Sequence, residues 1–162
     1  MKKFDLVVLG GGPGGYIAAI RATQLGKSVA IIEKDKLGGV CLNRGCIPTK
    51  ALLKAAHSVH ELKTFKSLGI NVEQHSLDSS VAVKRANQIA DRVGKGVDFL
   101  MKKNNIEVIS GDGILKTATS IEVTTADGIE TVTAENIILA TGAHYKSFPG
   151  LEHDGERIIG AY

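Results

Sequence analysis

Two cysteines stand in this 162-residue sequence, Cys41 and Cys46, with four residues between them. They lie in the run Gly38-Gly39-Val40-Cys41-Leu42-Asn43-Arg44-Gly45-Cys46-Ile47-Pro48. In a reducing compartment a pair this close is more often catalytic or metal-binding than a structural staple. The pattern predicts a helix from near Cys46, with Pro48 tolerated in its first turn. Cys46 then falls where the helix dipole stabilises a thiolate. Cys41 lies just upstream in a loop, within reach of a disulfide. A dithiol built this way suits exchange chemistry, in which one sulfur attacks or is attacked and the other resolves. A zinc site is the competing chemistry, and it needs about four ligands. There is no second cysteine pair, and His57 and His60, one helical turn apart, read as a solvated helix face. No metal is expected. Two unrelated cysteines are the third reading, which fits poorly with a glycine-rich loop.

Gly10, Gly12 and Gly15 match G-x-G-x-x-G, directly after the apolar run Leu6-Val7-Val8-Leu9. The first glycine permits a tight turn, the second lets a pyrophosphate approach the backbone, and the third lets helix and strand pack closely. Phosphates at such a site sit on the helix N-terminus, where free amides and the dipole favour anions. Pro13 suits the loop because no amide hydrogen is needed there. Glu33 follows Gly15 by 18 residues. An acid there accepts hydrogen bonds from a ribose, and it argues against a 2′-phosphate. The competing reading is a glycine-rich turn without a ligand.

These residues need elements to position them. Leu6 to Leu9 reads as a buried strand and Ile17 to Leu25 as a helix, with Ile17, Ala18, Ala22 and Leu25 on one stripe. Gly26 stops it, and Ser28 to Glu33 is a second strand. Strand, glycine turn, helix and strand form a parallel βαβ unit. Lys34 to Gly45 reads as irregular. A helix follows from about Cys46 to Lys66, then a polar connection over Asn71 to Ser76. A second long helix covers Ser80 to Lys103, striped by Val83, Ala86, Ile89, Ala90, Val93, Val97 and Leu100 and weakened by Gly94 and Gly96. Ile106 to Ile109 is a third strand. Ile114-Leu115, Ser120 to Thr125 and Ile129 to Thr133 form a small antiparallel meander. Asn136 to Ala140 is a last buried strand, stopped by Thr141-Gly142, a plausible ligand turn at a strand's C-terminal end. The expected fold class is α/β: a Rossmann-like parallel sheet plus a three-stranded meander.

Composition narrows the function. Hydrophobic residues make up 43% and charged residues 23%, which is ordinary globular usage. Twenty Lys and Arg against 17 Asp and Glu give a net charge of +3, spread without long basic runs, so no nucleic-acid face is expected. Four Phe, three Tyr and no Trp argue against a base-stacking platform. No apolar run approaches a membrane span. Met1-Lys2-Lys3 followed by Phe4 to Leu9 mimics a signal peptide only faintly, because Asp5 interrupts it. A cytoplasmic location is expected. The 19 glycines exceed the roughly 11 that a ~7% average supplies.

Leu9-Gly10-Gly11-Gly12-Pro13-Gly14-Gly15-Tyr16, then Glu33, then Gly39-Val40-Cys41-Leu42-Asn43-Arg44-Gly45-Cys46-Ile47-Pro48-Thr49-Lys50, and finally Ala140-Thr141-Gly142 resemble the flavin-dependent pyridine nucleotide–disulfide oxidoreductases. The cysteine segment, with Leu42, Asn43, Ile47, Pro48 and Lys50, is most similar to the branch that oxidises dihydrolipoamide. Glutathione and mercuric reductases tend to have valine where Leu42 and Ile47 stand.

The resemblance implies the following roles. Gly10, Gly12, Pro13, Gly14 and Gly15 would hold the FAD pyrophosphate, Glu33 the adenosine ribose, and Lys34 would flank the adenosine. Gly39, Val40 and Cys41 would line the phosphates, and Gly45 would help frame the FAD. Cys46 would lie against the flavin, Cys41 would exchange with dihydrolipoamide, and Lys50 would sit one turn from Cys46, near the ring. Gly113 would meet the adenine through its backbone, and Ala140, Thr141 and Gly142 would close over the cofactor. Eleven of the 19 glycines lie in these segments. Electrons would pass from dihydrolipoamide through the Cys41–Cys46 disulfide and FAD to NAD.

The family's complete chains are several hundred residues long and carry a second nucleotide fold and a dimer-interface domain. The resemblance therefore implies an N-terminal portion: an FAD-binding domain over 1–148, with the redox segment 38–50, and a linker start over 149–162. The NAD site and the family's catalytic histidine–glutamate base would lie outside this chain. None of His57, His60, His75, His144 or His153 takes that role. The implied partners are lipoyl-lysine carriers of 2-oxo acid dehydrogenase or glycine-cleavage complexes, and a second copy of the full-length chain. Rival readings are another disulfide reductase, acting on mercuric ion or a thiol, and a stand-alone flavin-binding redox module.

Overall fold

A computed structural model describes residues 2–160. The elements in chain order are β1 (Lys2–Leu9), α1 (Pro13–Gln24), β2 (Val29–Glu33), α2 (Gly39–Asn43), α3 (Cys46–Leu62), a 3-10 turn (Phe65–Leu68), α4 (Ser79–Lys103), β3 (Glu107–Ser110), β4 (Asp112–Thr117), β5 (Ser120–Thr125) and β6 (Gly128–Leu139). All six strands share one sheet in the order β3-β2-β1-β6-β5-β4. β3, β2, β1 and β6 run parallel, and β4, β5 and β6 form the antiparallel meander.

Side chains alternate across a strand, so the unbroken apolar runs of β1 and β2 require cover on both faces. Val8, Val29 and Ile31 pack with Ala19 of α1, Leu42 of α2 and Val97 and Met101 of α4. Val7, Leu9, Ala30 and Ile32 face the other way, against Ile121, Val123, Val132 and Ala134 of the meander. The meander curls back over that face. A Cβ at Gly113 in β4 would come within 2.6 Å of Leu9 Cδ1 and 3.1 Å of Ile32 Cγ2.

Several details depart from the sequence pattern. The Lys34 to Gly45 stretch is not irregular throughout, because α2 carries Cys41 on a short helix. Five residues are too few to show a period. Ile17 of α1 and Leu25 just past its end are exposed, while Gly15 and Ala19 are buried. Gly15 and Ala19 let the helix approach β1 closely, with Tyr16 and Ile20 half-buried against the same cluster. Along α4 the buried line is Ala86, Ala90, Val97 and Met101, and Val83, Val93 and Leu100 are exposed. Gly94 and Gly96 leave α4 unbroken, and a Cβ at Gly94 would touch only Leu42 Cδ2, at 3.7 Å. The two expected strands around Ile129 to Thr133 and Asn136 to Ala140 are one strand, β6. Its last turn of chain is not buried: Ile138 and Leu139 are 38% and 60% exposed. β5 pairs β6 only as far as Thr133, which leaves one edge of the remainder uncovered among the described residues.

Ion pairs and caps tie the ends. Lys2 Nζ reaches Glu107 Oε1 at 2.8 Å and Glu130 Oε2 at 3.6 Å, and the Glu107 hydrogen bond holds its ammonium above the usual lysine range. Asp78 caps α4, accepting from the Ser80 hydroxyl at 2.6 Å and from the Ser80 and Val81 amides at 2.9 and 3.2 Å. Those bonds, the Ser80 hydroxyl's foremost, hold its carboxyl below the usual range.

Candidate functional site

At the C-terminal ends of β1, β2 and β6 lies a cavity of about 620 Å³. Crevices in open α/β sheets form at such strand ends. Its floor is the turn between β1 and α1. Gly10 donates its amide to Ile32 O at 2.8 Å and takes φ +105°, a conformation that favours glycine. A Cβ at Gly10 would collide with the Ala140 carbonyl, and one at Gly15 would fall on the Gly10 carbonyl oxygen. The turn is thus packed underneath. Above it is open: a Cβ at Gly14 or Gly142 would meet nothing within 4 Å, and one at Gly12 would reach only Gly39 Cα, at 4.0 Å. The cavity therefore runs along bare backbone.

The N-terminus of α1 opens into this space. It has Pro13 in its first turn, no side-chain cap and no acidic residue there. Its first amides lack intrahelical acceptors, so they remain available to an anion. Glu33, half-buried at the end of β2, organises the rim. Its Oε2 accepts from the Gly11 amide at 2.7 Å and its Oε1 from the Asp35 amide at 2.9 Å. One carboxylate thus links the glycine turn to the exit of β2, and each oxygen keeps lone-pair capacity toward the cavity.

The dithiol segment forms the opposite wall. Gly38 donates to Gly11 O at 2.8 Å, and a Cβ at Gly39 would come within 2.9 Å of Gly12 Cα. The two glycine-rich loops touch backbone to backbone. Cys41 on α2 and Cys46 at the first position of α3 are joined by a disulfide, with Cα atoms 4.7 Å apart. Cys41 is half-buried and lines the cavity, whereas Cys46 is exposed on α3. Arg44, between them, pairs its Nη2 with Asp35 Oδ2 at 2.8 Å.

Of the residues named from sequence, Gly10, Gly12, Pro13, Gly14, Glu33, Lys34, Gly39, Val40, Cys41, Ala140, Thr141 and Gly142 all border the cavity. Gly113 borders a small adjoining recess of about 80 Å³, shared with Gly10, Glu33, Lys34 and Thr141. Gly15 is buried beneath the turn, and Gly45 packs against Val40 O, with a Cβ there at 3.1 Å. Cys46 and Lys50 lie one turn apart on the exposed side of α3, outside the cavity lining. The lining also includes Asp35, Lys36, Asn43, Arg44, Ala143, His144 and Tyr145, which sequence reasoning gave no role. Lys36 and Arg44 could have been found by their closeness to Lys34 and the cysteines. His144 and Tyr145 carry no such signal. Among the described residues, no group of three or more His, Cys, Asp or Glu is placed to hold a metal ion, and no helix is long and apolar enough to cross a membrane.

The profile of the family described as "Pyridine nucleotide-disulphide oxidoreductase" matches residues 4–160. The chain belongs to that family. Among pyridine nucleotide-disulphide oxidoreductases it is similar to the dihydrolipoyl dehydrogenase of Chlorobaculum parvum, 46% identical over 158 residues, covering 97% of this chain and 34% of that one. It is also similar to the dihydrolipoyl dehydrogenase of Mycobacterium tuberculosis H37Rv, 49% identical over 152 residues, covering 93% and 32%. Among solved structures it resembles the Cu(II) complex of the HOCl-induced flavoprotein disulfide reductase RclA from Escherichia coli, with a TM-score of 0.74 and 28% identity over 92% of this chain and 31% of that one. The chain spans about a third of the length of the curated relatives it matches.

Proposed function

We propose that this chain is the flavin-binding, dithiol-bearing part of a dihydrolipoyl dehydrogenase. The observation that carries the reading is the Cys41–Cys46 disulfide set in the wall of a cavity whose floor is the bare glycine turn. The residues fit a dinucleotide. Gly12, Gly14 and Gly142 leave open backbone for a pyrophosphate, the uncapped N-terminus of α1 faces it, and Glu33 keeps acceptors for a ribose. In this reading Gly10, Pro13, Gly15, Gly39, Val40 and Ala140 shape the cradle, Lys34 and Thr141 flank it, and Gly113 bounds the adenine end. When bound, FAD supplies a two-electron carrier between the dithiol and NAD.

The chain's own chemistry is thiol–disulfide exchange. One thiolate of a dihydrolipoyl group attacks Cys41 Sγ, the Cys41–Cys46 bond breaks, and Cys46 leaves as a thiolate. The second substrate thiolate attacks the mixed disulfide, closes the lipoyl ring and releases Cys41 as a thiolate. Cys46 is the better leaving group because it opens α3, where the dipole lowers thiol pKa. Gly45 frees the turn that brings it there, and Lys50, one turn on, adds positive charge on the same face. That exposed face of α3 is the surface this reading gives to the flavin ring.

The domain division 1–148 and 149–162, an NAD acceptor, lipoyl-lysine carriers as partners, a homodimer and a cytoplasmic setting belong to the same proposal. The test is the full-length protein assayed with free dihydrolipoamide and NAD. We expect a yellow protein that reduces NAD. A long-wavelength absorbance in Cys41→Ser with its flavin oxidised, absent from Cys46→Ser in the same state, supports the assignment of the two sulfurs. A colourless protein, or one that reduces no NAD with this dithiol, overturns the reading.

A further inference from the structure

Asn43 is the last residue of α2, and its side chain is tied at both hydrogens. Its Nδ2 donates to Leu37 O at 3.1 Å and to Gly39 O at 2.9 Å. Both partners are carbonyl oxygens, which only accept, so the amide nitrogen must face them. The two bonds tie the last residue of α2 to the turn that precedes it. That turn contains Gly38 at φ +98° and Gly39 at φ +58°, two successive left-handed residues. The same turn rests on the glycine loop through the Gly38 amide and Gly11 O. Cys41 lies midway between the clamped ends.

A helix of five residues does not hold itself together in water. In the oxidised protein the disulfide helps, because it anchors Cys41 to α3. On reduction that tie is lost. Several ties do not depend on the sulfurs: the Gly38 amide on Gly11 O, the packing of Leu42, the Arg44–Asp35 ion pair just beyond α2, and the two Asn43 bonds, which alone join the end of α2 back to its start through a side chain. We propose that Asn43 is a positioning residue that holds the Cys41 helix against the glycine loop when the disulfide is open, and so sets the balance between disulfide and dithiol. The inference rests on the redox reading of Cys41 and Cys46.

The sign follows from entropy. The disulfide takes up two electrons and two protons from an external dithiol, the Cys41–Cys46 bond breaks, and the donor's two thiols close into its own disulfide. With Asn43 in place, the segment gains little freedom on reduction, and the two sulfurs stay close enough to re-form the bond. Without it, the reduced segment gains conformational freedom, which favours the dithiol.

The experiment titrates the full-length protein against mixtures of reduced and oxidised dithiothreitol, with free thiols trapped by alkylation and counted by mass. Asn43→Ala is expected to move the equilibrium about tenfold toward the dithiol, roughly +30 mV for a two-electron couple. Val132→Ala, which opens the core on the meander face, beside Lys2 at the other end of β1, is the stability control and is expected to leave the equilibrium in place. A shift in Asn43→Ala no larger than in Val132→Ala overturns the inference. Should Asn43→Ala fail to fold, hydrogen exchange on the wild type decides. Amides over 37–43 are expected to stay protected after reduction, and their loss of protection on reduction overturns the inference. If the wild-type disulfide resists dithiothreitol in the folded protein, the redox reading itself fails and takes this inference with it.

Discussion

The glycine turn at 10–15 and the dithiol segment at 37–46 meet at the same end of the sheet, but they are held differently. The glycine turn is held by backbone contact: the Gly10 carbonyl lies where a Cβ of Gly15 would go, and the Ala140 carbonyl where a Cβ of Gly10 would go. The dithiol segment is held by side chains. Asn43 reaches two carbonyls, Arg44 pairs with Asp35, and Cys41 is bonded to Cys46. A surface that only has to receive phosphates can be rigid backbone. A segment whose covalent tie must open and close in exchange needs ties that can be kept while one is released.

The strongest way to break this contrast is to add one carbon to each side of the glycine turn. Gly15→Ala puts a Cβ onto the Gly10 carbonyl oxygen, and neither backbone can retreat without shifting β1. Overpacking of this kind is expected to cost about 3 kcal/mol, the upper end of the usual range. Gly14→Ala meets nothing within 4 Å and gains helix propensity, so stability should hold or rise by up to ~1 kcal/mol. It should nevertheless retain less flavin, because the methyl group points into the cavity. Urea unfolding and flavin content measured on both variants separate the two effects. Equal stability in the pair would show that the turn is not packed from below.

Glu33 joins the two regions, so its loss should be felt in both. Glu33→Ala leaves the Gly11 and Asp35 amides without their carboxylate. Hydrogen bonds to a charged group are typically worth about 1.5–3 kcal/mol, and water will replace part of that at a half-buried site. We expect a stability loss of roughly 2 kcal/mol together with weaker flavin retention. Glu33→Gln keeps one acceptor oxygen and should fall between. Normal flavin content in the alanine variant would remove Glu33 from the cofactor site while leaving its structural role.

Reduction probes the dithiol segment alone. The disulfide closes a loop of only six residues, Cys41 to Cys46, for which the chain-entropy relation gives about 2 kcal/mol. Thermal unfolding with and without reductant should show a loss of that order, with the glycine turn unaffected. Hydrogen exchange should therefore change near 44–46, beyond the part that Asn43 ties, and not over 37–43 or at Gly11 or Gly15.

The same contrast explains what could be read without coordinates. The glycine turn was legible because its constraint is local: an apolar run, G-x-G-x-x-G, a helix and then an acid, all at near-fixed spacing. Cys41 and Cys46 were legible as chemistry. The rest of the dithiol wall was not. Asn43, Asp35 and Arg44 act through side-chain contacts that leave no period in the sequence, and α2 is too short to show one. The face of α1 was not legible because Ile17 and Leu25 are as apolar as Ile20, and only Ile20, with Tyr16 and Ala19, faces the sheet. The curl of the meander over Leu9 and Ile32 was hidden too, since it depends on Gly113 having no side chain between distant strands.

The smallest expected effect lies outside both regions. Carboxylates held below their usual range include Asp5 of β1, through its bonds from Ser28, Asp78 at the N-terminus of α4, and Asp154 in the turn after Gly150. A lowered folded value stabilises the fold above the unfolded value near 3.8 and loses that stabilisation as pH falls through the folded one. Lys2 is opposite in sign: held above 10.5 chiefly by its Glu107 hydrogen bond, it stabilises below that value and stops doing so as pH rises through its folded value. Asp78→Asn isolates one of these groups. Asparagine caps a helix about as well as aspartate, so neutral-pH stability should barely change, while the slope of the stability curve below pH 4 should flatten slightly. An unchanged acid limb would mean that Asp78 has the same proton affinity folded and unfolded, and that the acid sensitivity of the fold rests on other carboxylates, Asp5 and Asp154 among them.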